Sequence, residues 1–150
     1  MMQLTRIVIF LLALLNPWTA FGQSQEMARN ELKNQNIPWS TGEFIHRAEQ
    51  GDTTTVELFL SAGVDPNAKN QERRTALILA AGKGYTAAVQ ALLNKGAEVN
   101  VKDKGGRTAL MEAAKGGYPV TSQVLLNKGA EVNVKDKGGR TALVEAAKGG

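Results

Sequence analysis

Cysteine is absent from all 150 residues, which excludes a disulfide framework, a thiol nucleophile and any thiolate-ligated zinc or iron–sulfur site, and leaves the redox compartment open. Histidine occurs once, at His46. With no second imidazole or thiol to act beside it, a surface or capping role is expected. Aromatic residues are only 5% of the chain and none falls among the basic turns described below, so the stacking platform used to hold single-stranded nucleic acid is missing. No glycine-rich loop ends in Gly-Lys-Ser or Gly-Lys-Thr: Lys83 follows Gly82 but precedes Gly84, with the wrong upstream spacing. No Asn-x-Ser/Thr acceptor for glycosylation is present. Paired carboxylates can act as acid and base, but Glu98, Asp103, Glu131 and Asp136 recur at one fixed interval, which marks them as structural or surface groups. The expectation is a chain without catalytic residues, cofactor, metal or small-molecule substrate.

What the chain does contain is an internal copy. Residues 92–110, LLNKGAEVNVKDKGGRTAL, recur unchanged as residues 125–143, and Lys69, Asn70, Thr75, Ala76 and Leu77 align one further period back. The period of 33 residues specifies a stacked-repeat architecture in place of a single globular core.

Each unit reads as two helices and a projecting turn. In the second unit, residues 75–83 form a short helix started by Thr75 and built from good helix formers. Gly84 permits the turn out. A second helix follows over residues 86–93, with Val89, Leu92 and Leu93 spaced i, i+3, i+4. Gly96 ends it in the left-handed conformation. Residues 97–104 are expected to be extended, and Lys104-Gly105-Gly106 to turn into the next unit. Neither helix can bury its apolar stripe alone, so units must stack. In the third unit Pro119 opens the second helix, where its missing N–H is not needed; the family resemblance set out below implies that Thr121 and Ser122 stand at normally aliphatic places, which should weaken that core. The first unit departs from the pattern at Glu43, Arg47, Asp52 and residues 53–55, as a capping unit would. Ser40 followed by Glu43 marks its first helix start. The fourth unit, residues 136–150, has a first helix and no second, leaving Leu143, Ala146 and Ala147 without cover, and a longer parent protein is expected.

Ahead of the units, residues 7–15 are wholly apolar after one positive charge, and Ala20-Phe21-Gly22 sets small residues before Gln23. This is the pattern of a secretory signal peptide cleaved after Gly22. Nine apolar residues are too few to cross a hydrocarbon core of roughly 30 Å as a helix. Residues 23–39 are polar; a short helix over 26–33 is expected, either docked loosely or disordered.

The units resemble the ankyrin repeat family. Its opening motif, roughly T-P-L-H-x-A-A, appears as Thr75-Ala76-Leu77-Ile78-Leu79-Ala80-Ala81 and again from Thr108 and Thr141; its closing motif, L-L-x-x-G-A-D-V-N, appears from Leu92 and Leu125 and more loosely from Phe59. The resemblance covers residues 40–150, as a cap over 40–69, units over 70–102 and 103–135, and the incomplete 136–150. Alanine replaces the motif proline at Ala76, Ala109 and Ala142, and Ile78, Met111 and Val144 replace a histidine that links repeats. It implies an all-α solenoid of helix–turn–helix units joined by β-hairpin-like turns. It also implies a protein–protein interaction module that uses its turns and first-helix surfaces as a concave face. Carried onto this sequence, that face is basic: Arg74, Lys83, Lys102, Lys104, Arg107, Lys115, Lys135, Lys137, Arg140 and Lys148.

The charge distribution agrees with this placement. Residues 23–69 carry 4 basic and 7 acidic side chains, net −3, and residues 70–150 carry 13 and 7, net +6. The expected partner is another protein with an acidic surface, met in the periplasm or outside the cell; nucleic acid is a poor candidate. Two alternatives stay open: a membrane-tethered scaffold that keeps residues 7–15 as an anchor, and a regulatory or inhibitory partner of an exported enzyme.

Overall fold

A computed structural model describes residues 17–149, and these form eight α-helices: α1 Pro17–Asn34, α2 Thr41–Gln50, α3 Thr53–Ser61, α4 Ala76–Gly82, α5 Thr86–Asn94, α6 Ala109–Lys115, α7 Pro119–Asn127 and α8 Ala142–Gly149. The apolar run at 7–15 lies outside the described residues. No helix among those described is long and apolar enough to cross a membrane.

The first helices start where a hydroxyl can accept a free amide. Ser40 Oγ accepts from Glu43 N at 3.1 Å, Thr75 Oγ1 from Ile78 N at 3.3 Å, and Thr108 Oγ1 from Met111 N at 3.4 Å. The second helices α5 and α7 begin instead after Tyr85 and Tyr118, which make no side-chain cap, and Pro119 takes the first helical position of α7. Gly63, Gly96 and Gly129 follow α3, α5 and α7 with φ of 92°, 90° and 87°.

These helices pack in two layers. The inner layer runs α2, α4, α6, α8 and the outer runs α1, α3, α5, α7, each helix beside its neighbour in the layer and each unit's pair in contact across it. The inner helices approach closely because small residues lie between them: Ala48, Ala80, Ala81 and Ala113 are fully buried. Leu77, Ile78, Leu110 and Met111 fill the seams, while Phe59, Val89, Leu92 and Leu125 bring in the outer layer.

At the N-terminal end the structure goes beyond the expected short helix. Helix α1 keeps Gly22 in its interior and extends through the expected cleavage point after it. It docks on α3, burying Ala28 and Leu32, with Arg29 Nε donating to Ala62 O at 3.0 Å and its guanidinium 5.2 Å over the Trp39 ring. Trp39 stacks on Phe59 at 5.5 Å. The polar departures of the first unit also pair up: Arg47 meets Glu43 at 2.7 Å and Asp52 at 3.2 Å, and Asp52 Oδ1 caps α3 by accepting from Thr55 N.

Two other expectations are corrected. Residues 97–104 are not a continuous extended segment; the chain turns at 99–100, because Asn67 Oδ1 accepts from Glu98 N and Asn67 Nδ2 donates to Gly96 O, folding the link against the preceding unit. The connecting turns hold one isolated antiparallel bridge, Lys69 with Thr75, among the described residues. Thr121 is buried but does not leave a polar gap: its hydroxyl lies 2.7 Å from that of Thr86, so each satisfies the other between α5 and α7.

Leu110 is 4% exposed in the seam between α4 and α6. Leu110→Ala should lower unfolding stability by about 2–5 kcal/mol, the range for buried leucine truncation; urea titration checks this, and an unchanged midpoint would place Leu110 outside the seam.

Candidate functional site

The three loops that lead into α4, α6 and α8 are each built on one carboxamide or carboxylate. Asn70 Oδ1 accepts from the amides of Glu72 and Arg74 at 3.0 and 2.9 Å. Asp103 Oδ1 accepts from Gly105 and Arg107 at 2.8 and 2.9 Å, and Asp136 Oδ1 from Gly138 and Arg140 at 2.8 and 2.9 Å. Short polar side chains that capture their own downstream amides hold tight turns in this way. The tips are also joined to each other, Lys104 N donating to Glu72 O at 3.0 Å and Lys137 N to Gly105 O at 2.9 Å.

The second carboxylate oxygen of each aspartate turns to an arginine. Arg74 Nε lies 3.6 Å from Asp103 Oδ2, and Arg107 Nε lies 3.9 Å from Asp136 Oδ2, so the arginine of one unit meets the aspartate of the next. Arg107 further binds Glu112 at 2.7 Å and approaches Glu145 at 4.0 Å; its side chain is 18% exposed. Arg140 binds Asp136 at 2.8 Å and sits 3.2 Å from Glu145. The Glu145 oxygen there is buried and has this ion-pair contact without hydrogen-bond alignment.

This ladder divides the ten basic candidates. Arg74, Arg107 and Arg140 are engaged by carboxylates inside the array. Lys104 is paired only at the surface, with Glu72 at 3.5 Å. Lys83, Lys102, Lys115, Lys135, Lys137 and Lys148 are exposed, with no ion pair among the described residues. Arg74, Lys83, Arg107 and Lys115 come together with Glu49 and Glu112 around one hollow of about 270 Å³ on the inner helices. Lys102, Lys135 and Lys137 lie on the loops instead. His46 is exposed and sits 2.9 Å from Gln50 Nε2. Among the described residues no cluster of acidic or histidine side chains has metal-binding geometry.

Sequence reading missed Glu49, Glu112 and Glu145 as members of this surface. The available signal was the recurrence of Arg107 with Glu112 and of Arg140 with Glu145, each five residues apart.

Asp136 is held below the ordinary carboxylate value, first by the Arg140 amide, against the opposing effect of burial and with further help from the Arg140 side chain and the Gly138 amide. Burial lowers the Arg107 guanidinium, but its hydrogen bond to Glu112 and the charges of Glu112, Glu145 and Asp136 raise it overall. A carboxyl depressed in the folded state stabilises it at pH above the unfolded value of 3.8, and that contribution disappears as pH falls through the folded value. Thermal stability should therefore fall in acid below about pH 4. In Asp136→Asn the amide can still clamp the turn, as Asn70 does, so the variant should fold, with a lower melting temperature at neutral pH and a shallower acid slope. Equal slopes by calorimetry would remove Asp136 from the ladder.

A family model described as ankyrin repeats in three copies matches residues 44–136 and, in a second match, residues 102–150. No match is found among curated proteins. The matched span covers the stacked pairs α2 to α8, and ankyrin repeats are typically non-catalytic. The chain belongs to the ankyrin repeat family and is a protein–protein interaction module.

Proposed function

We propose that this protein is exported and binds an acidic protein surface through the lysines of its inner-helix and loop face. The observation that carries the reading is the division of the basic residues. The arginines are engaged by carboxylates, whereas Lys83 and Lys115 rim the hollow, Lys102, Lys104, Lys135 and Lys137 stand on the loops and Lys148 on α8, all of them exposed. Same-sign charge on a rigid scaffold raises the encounter rate with an opposite surface and favours it over others. Export rests on residues 1–22, and cleavage after Gly22 leaves Ala28, Arg29 and Leu32, the residues that seat α1 on α3.

A poly-glutamate peptide serves as the probe. It should bind the chain at low salt and release as salt rises from about 0.1 M to about 1 M, where the screening length shrinks from roughly 10 Å to about 3 Å. Replacing Lys83, Lys104, Lys115 and Lys137 together with glutamate should abolish binding while the melting temperature holds, because none of the four enters the arginine ladder. Binding that ignores salt, or that survives the four replacements, refutes the acidic partner. Mass spectrometry of the mature protein should give a first residue of Gln23; a retained residue 1 favours the tethered scaffold.

A further inference from the structure

The basic face repeats its charge so faithfully that charge alone cannot place a partner on it. The loop cations Lys102, Lys104 and Arg107 recur as Lys135, Lys137 and Arg140, inside the stretch that is identical in the two units. A partner answering only to charge would settle equally well one unit further along. Choosing between two such placements requires a difference in affinity, and so a feature that the face does not repeat.

The hollow on the inner helices is such a feature, and a glycine opens it. Glu49, Gly82, Lys115 and Lys148 stand one period apart, at the same place in α2, α4, α6 and α8. The other three helices carry a long side chain there and α4 carries none. Packing between units does not require the glycine. A Cβ on Gly82 would lie 3.3 Å from Glu112 Cβ, a tight contact that a few tenths of an ångström relieve. Lys115 holds the equivalent place against Glu145 with its side chain intact.

What the absent side chain leaves is a space of about 270 Å³. That is short of the roughly 300–1,000 Å³ usual for small-molecule pockets, and it suits a single side chain. Ile78 and Leu79, both almost wholly buried, give it an apolar lining. Lys83 and Lys115 border it, exposed and without an ion pair among the described residues, and so does Arg74, whose ion pair with Asp103 is long at 3.6 Å. Arg107 and Glu112 also line the space but answer each other at 2.7 Å. Glu49, on the α2 side, repels an entering carboxylate and so turns it toward the lysines.

We propose, resting on the acidic-partner reading above, that this hollow receives one glutamate side chain of the partner and thereby fixes the register of the complex. The carboxylate meets Lys83, Lys115 and Arg74, and the methylenes lie against Ile78 and Leu79. Aspartate, one methylene shorter, brings the same charge and less apolar contact. Gly82 is a specificity-determining residue that acts by leaving room.

Capped octa-glutamate and octa-aspartate are the probes, because charge alone makes them equal ligands. Titrated separately into the full chain at low salt, octa-glutamate should bind about fourfold more tightly, the value of one further buried methylene. The ratio should persist as salt weakens both, since screening acts on the charge they share. In nitrogen-15 NMR spectra of the unaltered chain, octa-glutamate should shift the Gly82 and Lys83 amides more than octa-aspartate does. Gly82→Gln and Gly82→Lys fill the hollow, the second with the side chain that α6 and α8 already carry. Each should bring the affinity ratio to one while the melting temperature holds. Equal affinities and equal shifts in the unaltered chain, or a preference that survives both replacements, overturn the glutamate socket and leave the acidic partner standing. Failure of both probes to bind at low salt refutes the acidic partner and the socket together.

Discussion

Contact between inner helices across rows of alanine is the constraint on which the architecture depends. Helices α4 and α6 have seven residues each, too short to persist alone in water. They exist because Ala80, Ala81 and Ala113 let backbones approach until Leu77, Ile78, Leu110 and Met111 are sealed between them. A larger side chain at any of these alanines would separate two units and loosen the outer helices seated on them. Stability is thus a property of neighbouring pairs, as in other quasi-one-dimensional folds.

Polar groups supply what the alanine rows cannot, namely register. The outer layer is pinned by the hydroxyl pair of Thr86 and Thr121. The links are pinned by Asn67 and Asn100, and the loops by aspartates that clamp their own turns and meet an arginine from the unit before. Most of these groups are buried or half-buried, so each requires its partner: losing one side leaves the other desolvated and unpaired.

The repeat, its helices, their threonine caps and the left-handed Gly96 were legible in sequence because each is local or periodic. What was not legible joins residues far apart. The arginines read as free charge because part of what engages them comes from the next unit, Asp103 for Arg74 and Asp136 and Glu145 for Arg107, although Glu112 for Arg107 and Glu145 for Arg140 stood five residues away. Thr121 read as a defect because its partner, Thr86, lies 35 residues earlier. Helix α1 was legible only in part, as a short helix over residues 26–33 either docked or disordered, for another reason. Asn36 stands where the later units have glycine, and the link to α2 is short, so its place in the outer layer follows from the burial of Ala28 and Leu32 and not from any repeated motif.

The tip-to-tip amides, Lys104 N to Glu72 O and Lys137 N to Gly105 O, turn three loops into one ordered rail. Loops that are already still have little conformational entropy left to surrender on association, and that loss is a large part of what opposes complex formation. Each added unit therefore lengthens the contact surface without adding the ordering penalty of another free loop.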